Sequence, residues 1–228
     1  MDFLVRSFQV ALFGRVDIRD PLGVGNQVRS AAGALFDGDP LVLPLPSDAP
    51  SEIPRIVLKS KDERYSCNVS GVRVDFFYRE KEPARKWVDL RDEYLQHLSA
   101  ISQTVVATLR TGITRLGSVA EFHVPIGSSP SLAMRRAYLK EGILPGEHEI
   151  QLGILHRQSW GMIEINRWVR LRGRDEESTL RVVVDINTIP EKKYDFDVDG
   201  IESFYSRVSS FFVADLEKIV LQRSGLET

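Results

Sequence analysis

Apolar positions change period several times along the chain, and each change marks an element. Phe3, Val5, Phe8, Val10, Leu12, Phe13 and Val16 crowd between Phe3 and Asp17, which predicts a strand. From Gly23 to Phe36, Val28, Ala31, Ala32, Leu35 and Phe36 recur at helical spacing, and Asp37-Gly38-Asp39-Pro40 stops that helix. The prolines at 44, 46, 50 and 54 leave room for neither a helix nor a central strand, so Leu43–Pro54 reads as an extended connector. Three short strands follow: Arg55–Lys59, Tyr65–Val69 and Val72–Arg79. The last puts Val72, Val74, Phe76 and Tyr78 on one side and Arg73, Asp75, Phe77 and Arg79 on the other. Such alternation belongs to antiparallel sheets with one buried face. A helix is expected from Asp89 to Arg110, its stripe of Leu90, Tyr94, Leu98, Ile101, Val105 and Leu109 packed on the sheet.

The second half repeats this order. Ile113–Val124 reads as a strand, and Ser128/Ser129–Glu141 as a short helix with Pro130 in its first turn. Leu144-Pro145-Gly146 reads as a turn. The strands His148–Arg157, Met162–Arg172 and Leu180–Thr188 follow, joined by Gln158-Ser159-Trp160-Gly161 and by the charged stretch Gly173–Glu177. A final helix from Asp199 to Arg223 carries the stripe Ile201, Phe204, Tyr205, Val208, Phe211, Phe212, Leu216, Ile219 and Val220. The sequence distance from Asp75 to Asp185 equals that from Asp89 to Asp199, and Asp89 and Asp199 both suit helix N-caps. The chain therefore reads as α+β, with two β-α-β-β-β-α repeats, 1–111 and 112–228, in one compact unit. They would form a largely antiparallel sheet covered on one face by the two long helices. That plan resembles TATA-binding-protein-like and helix-grip folds, a likeness that implies no function.

Composition narrows the classes. With 228 residues, 43% hydrophobic and 27% charged, the chain has enough apolar material for a core, which argues against wholesale disorder. A net charge of −2 excludes a globally basic protein that coats nucleic acid. The single cysteine, Cys67, cannot form an internal disulfide or a multi-cysteine zinc site, and mid-strand it reads as a small hydrophobe. No basic leader and no long apolar run are seen, so no membrane association is expected and the cytoplasm is the default compartment.

Motifs for chemistry are sparse. His97, His123, His148 and His156 form no metal-binding pair, so no metal is expected. Gly23-Val24-Gly25 opens a helix without the rest of a phosphate-loop or dinucleotide fingerprint. Gly127-Ser128-Ser129-Pro130 reads as a capped helix start. Asp195, Asp197 and Asp199 lack the spacing of a calcium loop. No cofactor is expected. Asp75 with Asp185, or His123 with His156, could act as acid and base between the halves if they converge. The favoured reading of the two aspartates is exposed ladder charges.

The sheet face opposite the helices is the candidate binding surface. Arg73, Phe77 and Arg79 come from the first half, and Trp168, Arg170, Arg172 and Arg181 from the second, with Glu164 and Asp185 among them. Trp168 should project with Glu164, Asn166 and Arg170, and beside Val183 and Phe77 it would make one apolar patch. Arg and Trp suit a protein interface, whether with a partner protein or a second copy, and they suit nucleic acid second. The expected function is a non-enzymatic binding module. The alternatives are an enzyme with a site between the halves and a nucleic-acid binder, and no catalytic residue is assigned.

Leu41–Pro54, Arg64–Arg79 and Val182–Thr188 resemble a sporadically distributed bacterial family of about this length. That family has a proline-rich early segment and a late strand matched here by Val184-Asp185-Ile186-Asn187. The resemblance implies no activity and no catalytic residue. A sporadic distribution implies a link to mobile-element or defence loci.

Overall fold

The computed structural model describes residues 2–46, 48–81, 84–109, 112–127, 129–139 and 148–221. Strand β1 (Leu4–Gly14) leads to α1 (Pro21–Ala31), then to β2 (Leu41–Val42), β3 (Ile56–Lys59), β4 (Tyr65–Val69), β5 (Arg73–Arg79) and α2 (Trp87–Gln103). Strand β6 (Ile113–Pro125) leads to α3 (Pro130–Tyr138), β7 (Glu149–Trp160), β8 (Ile163–Arg174), β9 (Thr179–Thr188), α4 (Val198–Ala214) and α5 (Leu216–Leu221). All nine described strands join one antiparallel sheet in the order β2-β3-β4-β5-β1-β6-β9-β8-β7.

Several boundaries differ from the pattern, each for a local reason. Helix α1 ends at Ala31, and the 3₁₀ turn Gly33–Phe36 takes over. Gly33 has φ +58°, a conformation glycine adopts without a Cβ penalty. Just before the proline-rich connector Leu41 and Val42 pair with Val57 and Ile56, a two-residue edge strand that ends before Pro44. Helix α2 starts at Trp87, with Lys86 at its N-cap, so Asp89 is no cap but an acid in the first turn, where the dipole favours it. At α4 the cap is Asp197, which accepts from the Gly200 amide at 2.8 Å, while Asp199 again lies in the first turn. The expected single last helix breaks at Asp215 into α4 and α5. Strand β7 runs through to Trp160, and Gly161 at φ +67° makes the turn into β8. The expected helix ends Arg110, Glu141 and Arg223, the serine at 128 and the turn at 144–146 lie outside the described residues.

Register decides which side chains share a face. Phe8 pairs with Tyr78 and Ala120, Val10 with Phe76 and Ser118, and Leu12 with Val74 and Leu116, and all of them are buried. Helix residues meet this face. The Phe8 ring lies 4.6 Å from Trp87 and 5.0 Å from Tyr94, and Phe122 lies 5.2 Å from Phe212. Each such ring contributes about 1.5–3 kcal/mol on burial. The Tyr205 hydroxyl reaches the carbonyls of Ala11 and Gly117 at 3.2 and 3.1 Å, tying α4 to the two central strands. The opposite face, with residues of the other parity, carries no helix-packed aromatic core among the described residues and holds the candidate site. No helix among the described residues is long and apolar enough to cross a membrane.

Candidate functional site

One row of the open face reads Phe77, Gln9, Val119, Asp185, Trp168 and Leu155 across β5, β1, β6, β9, β8 and β7. Phe77 and Trp168 thus stand four strands apart, roughly 19 Å at normal strand spacing. The single apolar patch expected from Trp168 and Phe77 does not form, and each half carries its own aromatic. Trp168 is half-buried beside Arg170, whose guanidinium lies 5.5 Å from the ring centre. The ring edge borders Gly153, which has no side chain to displace it.

The arginines on this face differ in their partners. Arg181 donates to Glu121 at 2.8 Å, and Arg172 to Glu149 at 2.9 Å. Arg73 lies 2.7 Å from Asp75. Arg170 is exposed and lies 3.9 Å from Asp185, and Arg79 is exposed with no carboxylate partner among the described residues. Gln151, Gly153, Arg170, Arg172, Arg181 and Val183 line a cleft of about 430 Å³ over β7, β8 and β9. A second, of about 580 Å³, lies over the first half and includes Gln9, Asn68, Phe77 and Arg79. Lys59, Arg115, Arg157 and Arg174 share this parity with the five arginines above, against Asp75, Glu121, Glu149, Glu164 and Asp185. Basic side chains therefore outnumber acidic ones on one face of a chain whose net charge is −2.

Neither acid–base pair comes together. Asp75 lies opposite Ala11, and Asp185 opposite Val119, with β1 and β6 between them, so three strand spacings, about 14 Å, separate their strands. Asp75 is not an exposed ladder charge: it is 2% exposed, and Gln9 donates to it at 3.2 Å. Burial pushes its carboxyl above the ordinary range, and Arg73 and Gln9 offset this in part. Burial raises Asp185 too, opposed by a hydrogen bond from Asn187 and by Arg170. His123 points to the open face and touches Thr179 and Glu121. His156 faces Arg167 with the helix-side parity, so the two histidines lie on opposite faces of the sheet.

The remaining motifs resolve into structure. The Asp20 carboxylate accepts from Gly23 at 2.9 Å and fills the N-terminus of α1 that an anion would need. Ser129 caps α3, and Ser129 and Ser131 both donate to Asp175, whose other oxygen meets His148 at 3.2 Å. The carboxylate sits between serine and imidazole, so His148 has no bond to either hydroxyl and the serine–histidine–carboxylate order of a nucleophile triad is not formed. Cys67 is fully buried, and burial pushes its thiol up to about 12. No group of metal-ligating side chains is found among the described residues.

A polar network at the junction of β5 and α2 escapes the sequence reading. Arg85 bonds to Glu80 at 2.8 Å, to Glu93 at 2.9 Å and to the Tyr78 hydroxyl at 2.6 Å, while Tyr65 donates to Glu93 and Tyr78 to Glu80. Burial alone would raise both glutamates, but these hydrogen bonds win and leave both below their ordinary value. Burial and the acidic partners raise both tyrosines. The available signal was chemical: two tyrosines at core parity need partners for their hydroxyls. Arg115 was missed as well; it lies on the open face with its guanidinium 4.7 Å from the centre of the Phe13 ring.

The fold and this face define an α+β protein built on one large antiparallel sheet with an arginine-rich side on which no described helix packs. Compared with known proteins, the chain matches no family model and no curated protein.

Proposed function

We propose that the chain is a non-enzymatic binding module whose open sheet face takes a carboxylate-rich partner protein. The observation that carries this reading is the placement of two exposed arginines beside half-buried aromatics: Arg170 on Trp168, and Arg79 two positions from Phe77. Desolvated Arg and Trp are the side chains that concentrate binding energy at protein interfaces. A strand of nucleic acid is the second reading, favoured by the stacked Arg170–Trp168 pair. The five carboxylates on the same face, Asp185 opposite Trp168 among them, disfavour a continuous phosphate backbone, whereas a protein can set its carboxylates opposite Arg79 and Arg170 alone.

The same reading treats the halves as copies of one β-α-β-β-β-α unit, with α2 and α4 as equivalent covers of the other face. Three observations support it: β1 and β6 lie side by side, β5 and β9 flank them, and both helices have 17 residues.

The test is fluorescence-anisotropy titration with a labelled polyglutamate peptide and, separately, a labelled single-stranded oligonucleotide. Binding of the peptide, weakened about tenfold in Trp168→Ala/Arg170→Ala, is the expected result. Tighter binding of the oligonucleotide, with a steep salt dependence, would move the reading to nucleic acid. Binding of both probes unaltered in the double variant would overturn the face assignment.

A further inference from the structure

The sheet ends differently at its two edges. At one, β2 is two residues long and Pro44 and Pro46 follow it closely. At the other, β7 runs twelve residues and pairs with β8 along its length, and no described strand pairs with its outer side. It holds neither proline nor lysine, the usual devices against edge pairing. Among the described residues a long row of main-chain donors and acceptors is left open, with Leu155 39% exposed above it.

We propose that β7 pairs antiparallel with β7 of a second copy of this chain, about a two-fold axis at Gly153. Facing residues share a side of the sheet only when the register is centred on a residue. Centring on Gly153 sets Glu149 against the partner's Arg157, and by symmetry Arg157 against the partner's Glu149. On the helix side the same register sets Leu152 against the partner's Ile154, again twice. Centring on Leu152, Ile154 or Leu155 instead puts Glu149 opposite Leu155, Ser159 or Gly161. No other register within the strand opposes unlike charges. Cross-strand pairs of unlike charge and of branched apolar residues are what fix such pairings. Leu155 then meets the partner's Gln151, and the two Trp168 rings, each bordering a Gly153, flank the axis on the open face. The two sheets become one continuous sheet. The inference needs no ligand and does not depend on what the open face binds.

Sedimentation equilibrium across a dilution series tests this, since it reads mass without a ligand. The unaltered chain should approach twice 25.8 kDa at the concentrated end. Arg157→Glu sets like charges against each other twice and should weaken the dimer at least about tenfold. Glu149→Arg should do the same, although it also loses the bonds to Arg172 and Arg174. Mixing the two variants restores unlike charges at both positions, so the mixture should dimerise where each variant alone does not. Circular dichroism checks that each is folded, and Leu155→Lys, at an exposed edge position, replaces any variant that is not. The proposal is overturned by a monomeric unaltered chain throughout the series. It is also overturned by folded Arg157→Glu or Leu155→Lys that dimerises as before, or by folded variants whose mixture stays monomeric.

Discussion

Arg170 lies over Trp168 two residues along one strand, its guanidinium carbon 5.5 Å from the ring centre, on the side of the sheet away from the aromatic core. Removing both should leave the fold standing, because Arg170 is exposed and Trp168 only half-buried. We expect Trp168→Ala/Arg170→Ala to melt within a few degrees of the unaltered chain while losing affinity for the polyglutamate probe. An unfolded double variant would place Trp168 in the core and end this reading of the face.

Asp75 should make stability depend on pH in an unusual direction. Burial lifts its folded pKa above the unfolded value near 3.8, so the native state holds the proton more tightly. Stability is therefore lost as pH rises from that unfolded value through the raised one. Asp75→Asn lacks this loss. The melting temperature of the variant minus that of the unaltered chain should be more positive at about pH 7 than at about pH 3. A difference that stays constant over that range would refute the assignment.

The Arg85 network should act with the opposite sign. Glu80 and Glu93 sit below their ordinary value, so their contribution is present above about pH 4.5 and is lost as pH falls through the folded values. Arg85→Ala strands Glu80, whose side chain is 1% exposed, and should cost about 3 kcal/mol at neutral pH. Denaturant melts should show the gap to the unaltered chain narrowing as Glu80 is protonated.

Two neighbouring phenylalanines on α4 should respond differently to a charge. Phe212 contacts Phe8, Trp87 and Phe122, so Phe212→Asp buries an unpaired carboxylate and should unfold the chain, as should Leu98→Asp. Phe211 has the Arg167 guanidinium 4.3 Å from its ring, so Phe211→Asp gains a cation and should cost less. Equal losses in thermal melts would mean that Arg167 gives no compensation.

Cys67 should be inert. Its side chain is fully buried and burial holds its thiol near 12, so a thiol reagent should not label the native chain. Cys67→Ala should cost roughly 1–2 kcal/mol, as a small core truncation does. Rapid labelling of the folded protein would contradict this.

The chain's own pattern determined the elements and their faces. The alternation of Val72 to Arg79 is enough to put Val74 and Phe76 in and Arg73 and Phe77 out, because a strand's side chains have period two whatever it pairs with. Helical spacing likewise marked Leu98 and Phe212 as core. What no local period carries is which strand lies beside which. That Phe77 and Trp168 are four strands apart, that His123 and His156 lie on opposite faces, and that Asp75 is covered while Arg170 is not all follow from strand order and register. The Arg85 network belongs to the same class, since it joins β4, β5, the following loop and α2 through side-chain ends. Period fixes the direction of a side chain from its nearest neighbours, and only the packed sheet brings distant segments within reach of one another.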